Sequence, residues 1–170
     1  MVPTKRRTNA TQILVVEDNR ADVKLLQCAL AKAEDWAVDV TVVDDGDKAV
    51  AYLEKSGAYR NESRPDLVIL DLNLPKRTGP EILRWIRTNK ELSRLPAVLL
   101  SSNPKDVIQQ QVAEEGVEAD GYFTKPGNFH QLVAILTAIR HCYEDASRRV
   151  LKMPPRSAGS AAPQRKRVNG

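Results

Sequence analysis

The sequence predicts an α/β protein in which one parallel sheet of five strands is covered by helices on both faces. Short apolar runs alternate with segments of helical period five times between residues 12 and 145. The first, third and fourth runs are apolar throughout, as central strands are. The second alternates with polar residues and the fifth is short, as in edge strands. Together these features predict a doubly wound, flavodoxin-like (βα)5 fold with strand order 2-1-3-4-5.

The first two β-α units have recognisable boundaries. The apolar strand 12–16 precedes a helix over 20–33, for which Asn19 is the expected N-cap. The alternating strand 38–43 precedes a short helix in "DGDKAVAYLEK", which ends at the Ser-Gly pair 56–57. Each of these helices is expected to pack its apolar face on the sheet.

The third unit contains the most apolar run of the chain. A polar loop over 56–65 leads into the strand 66–70, and Asp71 follows that strand directly. Gly79 and Pro80 then begin the third helix, since proline is favoured in a first helical turn. An acid at the end of a buried strand is costly unless it has a partner, so Asp71 is a candidate site residue.

The last two units complete the sheet. The apolar strand 97–100 is followed by a more polar helix between Pro104 and Gly116. The short strand 121–124 is followed by a final helix over 128–143, with its apolar residues on one face. The predicted domain therefore spans residues 12–145.

The charge distribution separates this domain from both ends of the chain. The net charge of the 170 residues is +4, but residues 1–11 carry three basic residues and residues 146–170 carry seven, with no acids in either segment. The central segment therefore has a net charge of −6. Both ends are predicted to be disordered because they are basic and poor in apolar residues.

Three alternatives remain for the C-terminal segment. It is an inert solubilising tail, or it makes electrostatic contact with an acidic partner. In the third alternative, residues 146–151 extend the last helix by about one turn, because "DASRRVL" contains no helix breaker before Pro154.

Several classes of protein are disfavoured. No apolar run approaches the roughly 18 residues that a membrane span requires, and the basic N-terminus lacks the apolar core of a secretory signal. Cys28 and Cys142 lack CxxC spacing, which is typical of reduced thiols in a cytoplasmic protein. The turn after the first strand has no GxGxxG motif, which disfavours dinucleotide binding.

Polar residues follow four of the predicted strands and should meet at one edge of the sheet. In such folds ligands bind beyond the carboxyl ends of the strands, between strands one and three. The residues at these ends are Glu17, Asp18, Asp71, Ser101, Ser102 and Lys125. Clustered carboxylates suit a hard divalent cation such as Mg²⁺. A carboxylate can also form an aspartyl-phosphate, with a metal and a lysine neutralising its charge. The sequence therefore predicts a metal-dependent phospho-acceptor.

Four motifs carry a resemblance to a known family. The stretches "VVEDN", "LDLNLPKRTG", "LLSS" and "YFTKP" occur in this order over residues 12–144. Together they resemble the receiver domain of two-component response regulators. The loop over 56–65 and the form "DLNLP" resemble small single-domain regulators that pair with phytochrome-type histidine kinases.

The resemblance implies a role for each site residue. Asp71 would be the phospho-acceptor, Lys125 would pair with the phosphoryl group and Ser101 would hydrogen-bond it. The implied Mg²⁺ ligands are Asp18, Asp71, the backbone carbonyl of Asn73 and, through water, Glu17. Ser101 and Tyr122 would be switch residues, although an aromatic on an edge strand can equally serve packing alone. Pro126 after Lys125 is a candidate for a cis peptide bond.

The implied function is a phosphorylation-controlled switch rather than an enzyme, with at most autophosphatase activity. Its partners would be a sensor histidine kinase, an unknown downstream protein and a second copy bound through the fourth helix, fifth strand and fifth helix. An aspartyl-phosphate phosphatase is disfavoured because Asn73 stands where that chemistry needs an acid. A phosphate-independent binding module is the main alternative. Specific nucleic-acid binding by the tails is disfavoured because they lack interleaved aromatic residues.

Overall fold

The computed structural model describes residues 9–154 and contains one parallel sheet with strand order β2-β1-β3-β4-β5. This confirms the predicted fold class and strand order. The elements are β1 (Thr11–Val16), α1 (Arg20–Ala31), β2 (Val38–Val43), α2 (Gly46–Glu54), β3 (Leu67–Leu70), α3 (Gly79–Thr88), β4 (Ala97–Ser101), α4 (Lys105–Glu114), β5 (Gly121–Thr124) and α5 (Phe129–Lys152). None of the helices within this range is long and apolar enough to cross a membrane.

The central strands are mostly apolar because both of their faces are buried. In β1, Leu14 and Val16 pack in the core beneath α2, α3 and α4. Their neighbours Ile13 and Val15 point to the opposite face and pack beneath α1 and α5. The same alternation continues in β3, so successive side chains of a strand stabilise two separate cores. The sheet is therefore held from both sides.

Side-chain caps set the starts of the helices that lead away from the site. The Asn19 carboxamide oxygen accepts hydrogen bonds from the backbone N–H groups of Ala21 and Asp22, which confirms the predicted N-cap of α1. Thr78 and Glu81 form a reciprocal capping box at the start of α3. Such caps each contribute on the order of 1 kcal/mol and fix where the preceding loop ends.

Helix α5 is longer than predicted. It continues to Lys152, so residues 146–152 are helical rather than disordered, as in the alternative of a helical extension. Ala146 is buried, and an Arg94 guanidinium N–H donates to the backbone oxygen of Pro154 at 3.4 Å. Basic residues in the last turn favour the extension because they complement the helix dipole. The predictions for residues 1–8 and 155–170 lie outside the described part of the chain.

Candidate functional site

A crevice at the carboxyl edge of the sheet brings together the predicted residues of three strands. Glu17 follows β1, Asp71 follows β3 and Lys125 follows β5. The Lys125 Nζ atom lies 2.5 Å from Glu17 Oε2 and 3.0 Å from Asp71 Oδ2. All three side chains are at most 15 % exposed, so the ion pairs are shielded from solvent. Asp71 therefore has the charged partner that its position at the end of a buried strand requires.

A third carboxylate, which the sequence did not single out, completes this cluster. Asp22 lies in the first turn of α1, and its Oδ2 atom is 2.9 Å from Lys125 Nζ. An acid in a first turn is commonly explained by the helix dipole alone. Asp22 could have been found from the order of the elements. Helix α1 begins at the carboxyl end of β1, so its first turn borders the same crevice.

Three of the carboxylates are placed to hold a divalent cation. One carboxylate oxygen from each of Glu17, Asp18 and Asp71 lies within 4.8 Å of the other two. Asp18 is exposed at the rim, whereas Glu17 is buried. Glu17 Oε1 accepts from the Asn19 N–H at 3.0 Å and Oε2 accepts from Lys125, so both of its oxygens are engaged. Oxygen ligands of this charge fit a hard cation, and the engagement of Glu17 favours contact through water.

The electrostatics of the crevice depend on burial and on the three ion pairs. Burial raises the pKa of Glu17, and this effect outweighs the hydrogen bonds from Lys125 and Asn19 that lower it. Burial would lower the pKa of Lys125, but hydrogen bonds to Glu17, Asp22 and Asp71 outweigh it and raise that pKa. Lys125 is therefore an ammonium group in the crevice at neutral pH.

The loop after Asp71 is fixed to the start of α2. The Gly46 N–H donates to the backbone oxygen of Pro75 at 3.1 Å. Lys76 binds Asp45 at 3.0 Å, and Arg77 binds Asp47 at 2.9 Å. These contacts between residues 75–77 and 45–47, which the sequence did not predict, fix the backbone of the loop that follows Asp71.

The other predicted residues of this edge lie just beyond β3 and at the end of β4. Ser101 is buried at the end of β4, and its hydroxyl donates to Asn103 Oδ1 at 3.3 Å. The Asn73 side-chain amide donates to the same Asn103 oxygen at 3.5 Å. Asn103, which the sequence did not single out as a site residue, thus links the ends of β3 and β4. Ser102 is exposed.

Tyr122 lies on the face of β5 that is covered by α2, α3 and α4. It is half-buried, and its hydroxyl oxygen accepts from the Ala119 N–H at 2.9 Å. The expectation of a cis bond before Pro126 is wrong, since every peptide bond in residues 9–154 is trans. The trans form is the intrinsically favoured one even before proline.

An apolar cleft borders the crevice on the side of α1 and α5. It begins at the Asp22 and Lys125 side chains and continues between the two helices. Its apolar lining consists of Leu25, Leu26, Leu100, Pro126 and Leu132. Leu25 is 50 % exposed, so this cleft presents apolar surface directly beside the charged site.

A parallel sheet of five β-α units with acids and a lysine at its carboxyl edge agrees with the class predicted from the four motifs, the receivers of two-component signalling. Accordingly, the chain belongs to the response regulator receiver domain family, which matches residues 13–137. This confirms the family predicted from the four sequence motifs.

The chain is similar to individual response regulators that are described with phytochromes or with a bound metal. The response regulator Rcp1 of Synechocystis sp. strain PCC 6803 is 40 % identical over 129 residues, which cover 75 % of this chain and 84 % of Rcp1. The phosphorylated cyanobacterial phytochrome response regulator RcpA superposes with a TM-score of 0.70 at 39 % identity, covering 79 % of this chain and 94 % of RcpA. The Mn²⁺-bound form of Rcp1 gives a TM-score of 0.67 at 35 % identity, over 76 % and 91 % of the chains. The predicted resemblance to phytochrome-paired regulators is thus confirmed.

Proposed function

We propose that this protein is a response regulator that accepts a phosphoryl group on Asp71 from a sensor histidine kinase. The observation that carries the proposal is the joint placement of Asp71 with Lys125 and the acids Glu17 and Asp18. The Asp71 side chain is 12 % exposed, so it is shielded but remains reachable from solvent.

The proposed reaction transfers the phosphoryl group between two side chains. A carboxylate oxygen of Asp71 attacks the phosphorus of phosphohistidine, a P–O bond forms and the P–N bond breaks. The bonding electrons return to the imidazole, which takes up a proton from water. Lys125 neutralises the charge that gathers on the phosphoryl oxygens. Ser101 supplies a hydroxyl at the neighbouring strand end.

A divalent metal fits the donor set of this site. Asp18, Asp71 and the backbone carbonyl of Asn73 would hold it, with Glu17 bound through water. The metal would supply further charge neutralisation. We propose Mg²⁺ for this chain, since its small size and preference for carboxylates, water and phosphate oxygens suit the cluster; the relative Rcp1 is described in a Mn²⁺-bound form.

We propose that the protein acts as a switch and has at most autophosphatase activity. Hydrolysis of an acyl phosphate by water needs no further catalytic side chain, whereas a dedicated phosphatase would place an acid two residues after Asp71. Asn73 stands at that position. The proposed location of this activity is the cytoplasm, where a sensor kinase presents its phosphohistidine.

The apolar cleft supports docking of the kinase. Leu25 and Pro126 line this cleft together with Lys125, whose Nζ atom lies 3.0 Å from Asp71. A donor domain seated on the cleft would therefore bring its phosphohistidine close to the crevice. Burying such a patch contributes roughly 25 cal/mol per Å² of apolar surface. A phytochrome-type kinase is the proposed partner because RcpA is named as a phytochrome response regulator.

The proposed output surface consists of α4, β5 and α5. Helix α4 has two buried residues, Ile108 and Val112, the smallest number among the five α-helices of residues 9–154. Few buried contacts suit a switching element. Phosphorylation would move Ser101 toward the phosphoryl group and shift Tyr122, which biases this surface toward a downstream protein or a second copy.

Phosphate-affinity electrophoresis tests the acceptor. Wild-type protein incubated with acetyl phosphate and Mg²⁺ should give one retarded band. Asp71→Asn keeps the shape of the side chain but removes the nucleophile, so the band should disappear, as it should on chelation of the metal. Asp35→Asn, an exposed acid before β2, is the matched control. A band that persists in Asp71→Asn contradicts the proposal.

A further inference from the structure

Lys125 has three carboxylate partners, but only two of them belong to the cluster that can hold a metal. Its Nζ atom lies 2.5 Å from Glu17, 3.0 Å from Asp71 and 2.9 Å from Asp22. The first two residues, together with Asp18, form the metal cluster. Asp22 comes from α1 and lies outside that cluster, so it is the one partner that a bound cation leaves to Lys125.

A cation bound by this cluster would compete with the ammonium group for the carboxylates of Glu17 and Asp71. A divalent ion near Glu17 and Asp71 repels Lys125 and weakens both of its ion pairs. The Asp22 carboxylate, on the α1 side of the crevice, already lies at hydrogen-bond distance from the ammonium group. With Asp22, Lys125 can be displaced from the metal ligands without losing every charged partner.

We propose that Asp22 is a positioning residue that holds Lys125 on the α1 side of the crevice and thereby favours metal binding to Glu17, Asp18 and Asp71. This inference rests on the proposed function, because the metal serves phosphoryl transfer. Asp22 acts through Lys125 and touches neither the metal nor the phosphoryl group. Without Asp22, the ammonium remains on Glu17 and Asp71 and the metal must displace it from its last partners.

Two simpler roles of Asp22 predict a different result from the proposed positioning of Lys125. An acid in the first turn of α1 also stabilises the helix dipole. A negative charge near the crevice also attracts any cation directly. Both effects are independent of Lys125, so a double-mutant cycle over Asp22 and Lys125 separates them from the proposed role.

The experiment measures metal binding rather than phosphorylation. Free Mn²⁺ is titrated by electron paramagnetic resonance against wild type, Asp22→Asn, Lys125→Met and the double variant. With Lys125 present, we expect Asp22→Asn to weaken Mn²⁺ binding about tenfold. In the Lys125→Met background, the same substitution should weaken Mn²⁺ binding by no more than about threefold. An equal loss in both backgrounds overturns the proposal and leaves direct charge attraction.

A matched control and a second measurement complete the test. Asp106→Asn removes the first-turn acid of α4 and should leave Mn²⁺ affinity unchanged. With acetyl phosphate, Asp22→Asn should need a higher metal concentration for half-maximal labelling than wild type. Excess metal should restore the labelling of Asp22→Asn, whereas it should not restore the labelling of Asp71→Asn. If wild type is not labelled at all, the proposed function fails, whereas the Mn²⁺ titration still decides the role of Asp22.

Discussion

The backbone oxygen of Asp71 lies so close to Gly79 that a Cβ atom on this glycine would be 2.1 Å from it. The Gly79 N–H also donates to the backbone oxygen of Leu72 at 2.9 Å. The start of α3 is thus pressed against the strand end that carries the proposed acceptor, and only a residue without a side chain fits there.

Replacing Gly79 with alanine should therefore damage both stability and phosphorylation. The backbone must move away from Asp71, which we expect to lower the free energy of unfolding by about 1–3 kcal/mol. Displacement of the Asp71 carboxylate should also slow labelling by acetyl phosphate. Urea unfolding and phosphate-affinity gels measure the two effects. Gly127→Ala is the control, because a Cβ there has no neighbour within 4 Å; equal behaviour of the two variants would contradict the prediction.

Asp45 gives a prediction that depends on pH. Burial would raise the pKa of Asp45, but hydrogen bonds from the Lys48 N–H and from Lys76 outweigh it and lower that pKa below 3.8. A depressed pKa in the folded state stabilises the protein above pH 3.8, and the contribution is lost as the pH falls through the lower value. Asp45→Ala should cost about 1–2 kcal/mol at neutral pH through loss of the α2 cap, with a smaller cost in acid.

Asp45→Asn separates the cap from the charge. Asparagine retains the N-cap hydrogen bond but loses the ion pair with Lys76. We expect its unfolding free energy at neutral pH to lie between those of wild type and Asp45→Ala. A cost for Asp45→Ala that does not change between pH 7 and acid would show that the ionised carboxylate makes no contribution.

Among the arginines of residues 9–154, Arg87 should contribute most to stability. Its guanidinium donates to Asp120 at 2.9 Å, to the Leu95 oxygen at 2.8 Å and to the Glu118 oxygen at 3.1 Å, and so joins α3 to the loops before β4 and before β5. Both members of the ion pair are less than 20 % exposed. Arg87→Lys loses the forked geometry, so it should still cost about 2 kcal/mol or more in chemical denaturation.

The control for this arginine is Arg84, three residues earlier on α3. Its ion pair with Glu115 is largely solvated, and the Arg84 side chain is 61 % exposed. Arg84→Lys should therefore change stability by less than about 1 kcal/mol. Similar losses for both substitutions would mean that burial does not determine the strength of these pairs.

Removing the lysine of the crevice should make the protein respond more strongly to divalent metal. In Lys125→Met three carboxylates face one another without a cation, which we expect to cost roughly 3 kcal/mol in metal-free buffer. Mg²⁺ should restore part of this loss, so the melting temperature should rise more with Mg²⁺ than in wild type. Lys48→Met removes an exposed lysine and is the control. An equal response to Mg²⁺ in all three proteins would contradict this expectation.

The helical extension of α5 gives a prediction about truncation. A chain that ends at Asp145 loses buried Ala146 and the bond from Arg94 to Pro154, so it should be about 1 kcal/mol or more less stable than a chain that ends at Pro154. Thermal unfolding compares the two. Equal melting temperatures would mean that the stable domain ends at residue 145, as the sequence alone predicted.

The sequence by itself determined the fold and the principal charged residues of the site. Alternating apolar and helical segments are a local property, and they specified five units, two edge strands and the order of the sheet. Parallel strands bring their carboxyl ends to one edge, so Glu17, Asp71 and Lys125 could be placed together without coordinates. Asn19 was likewise predictable, because capping depends on its immediate neighbours.

Only the tertiary structure decided which partners these residues have. Asp22 and Asn103 lie in a helix turn and a loop whose positions depend on how separate units pack, and no local pattern specifies those distances. The end of α5 at Lys152 also depends on burial of Ala146 against the rest of the domain. Local propensity sets the elements, whereas contacts between residues far apart in sequence set the charge pairs that surround Asp71.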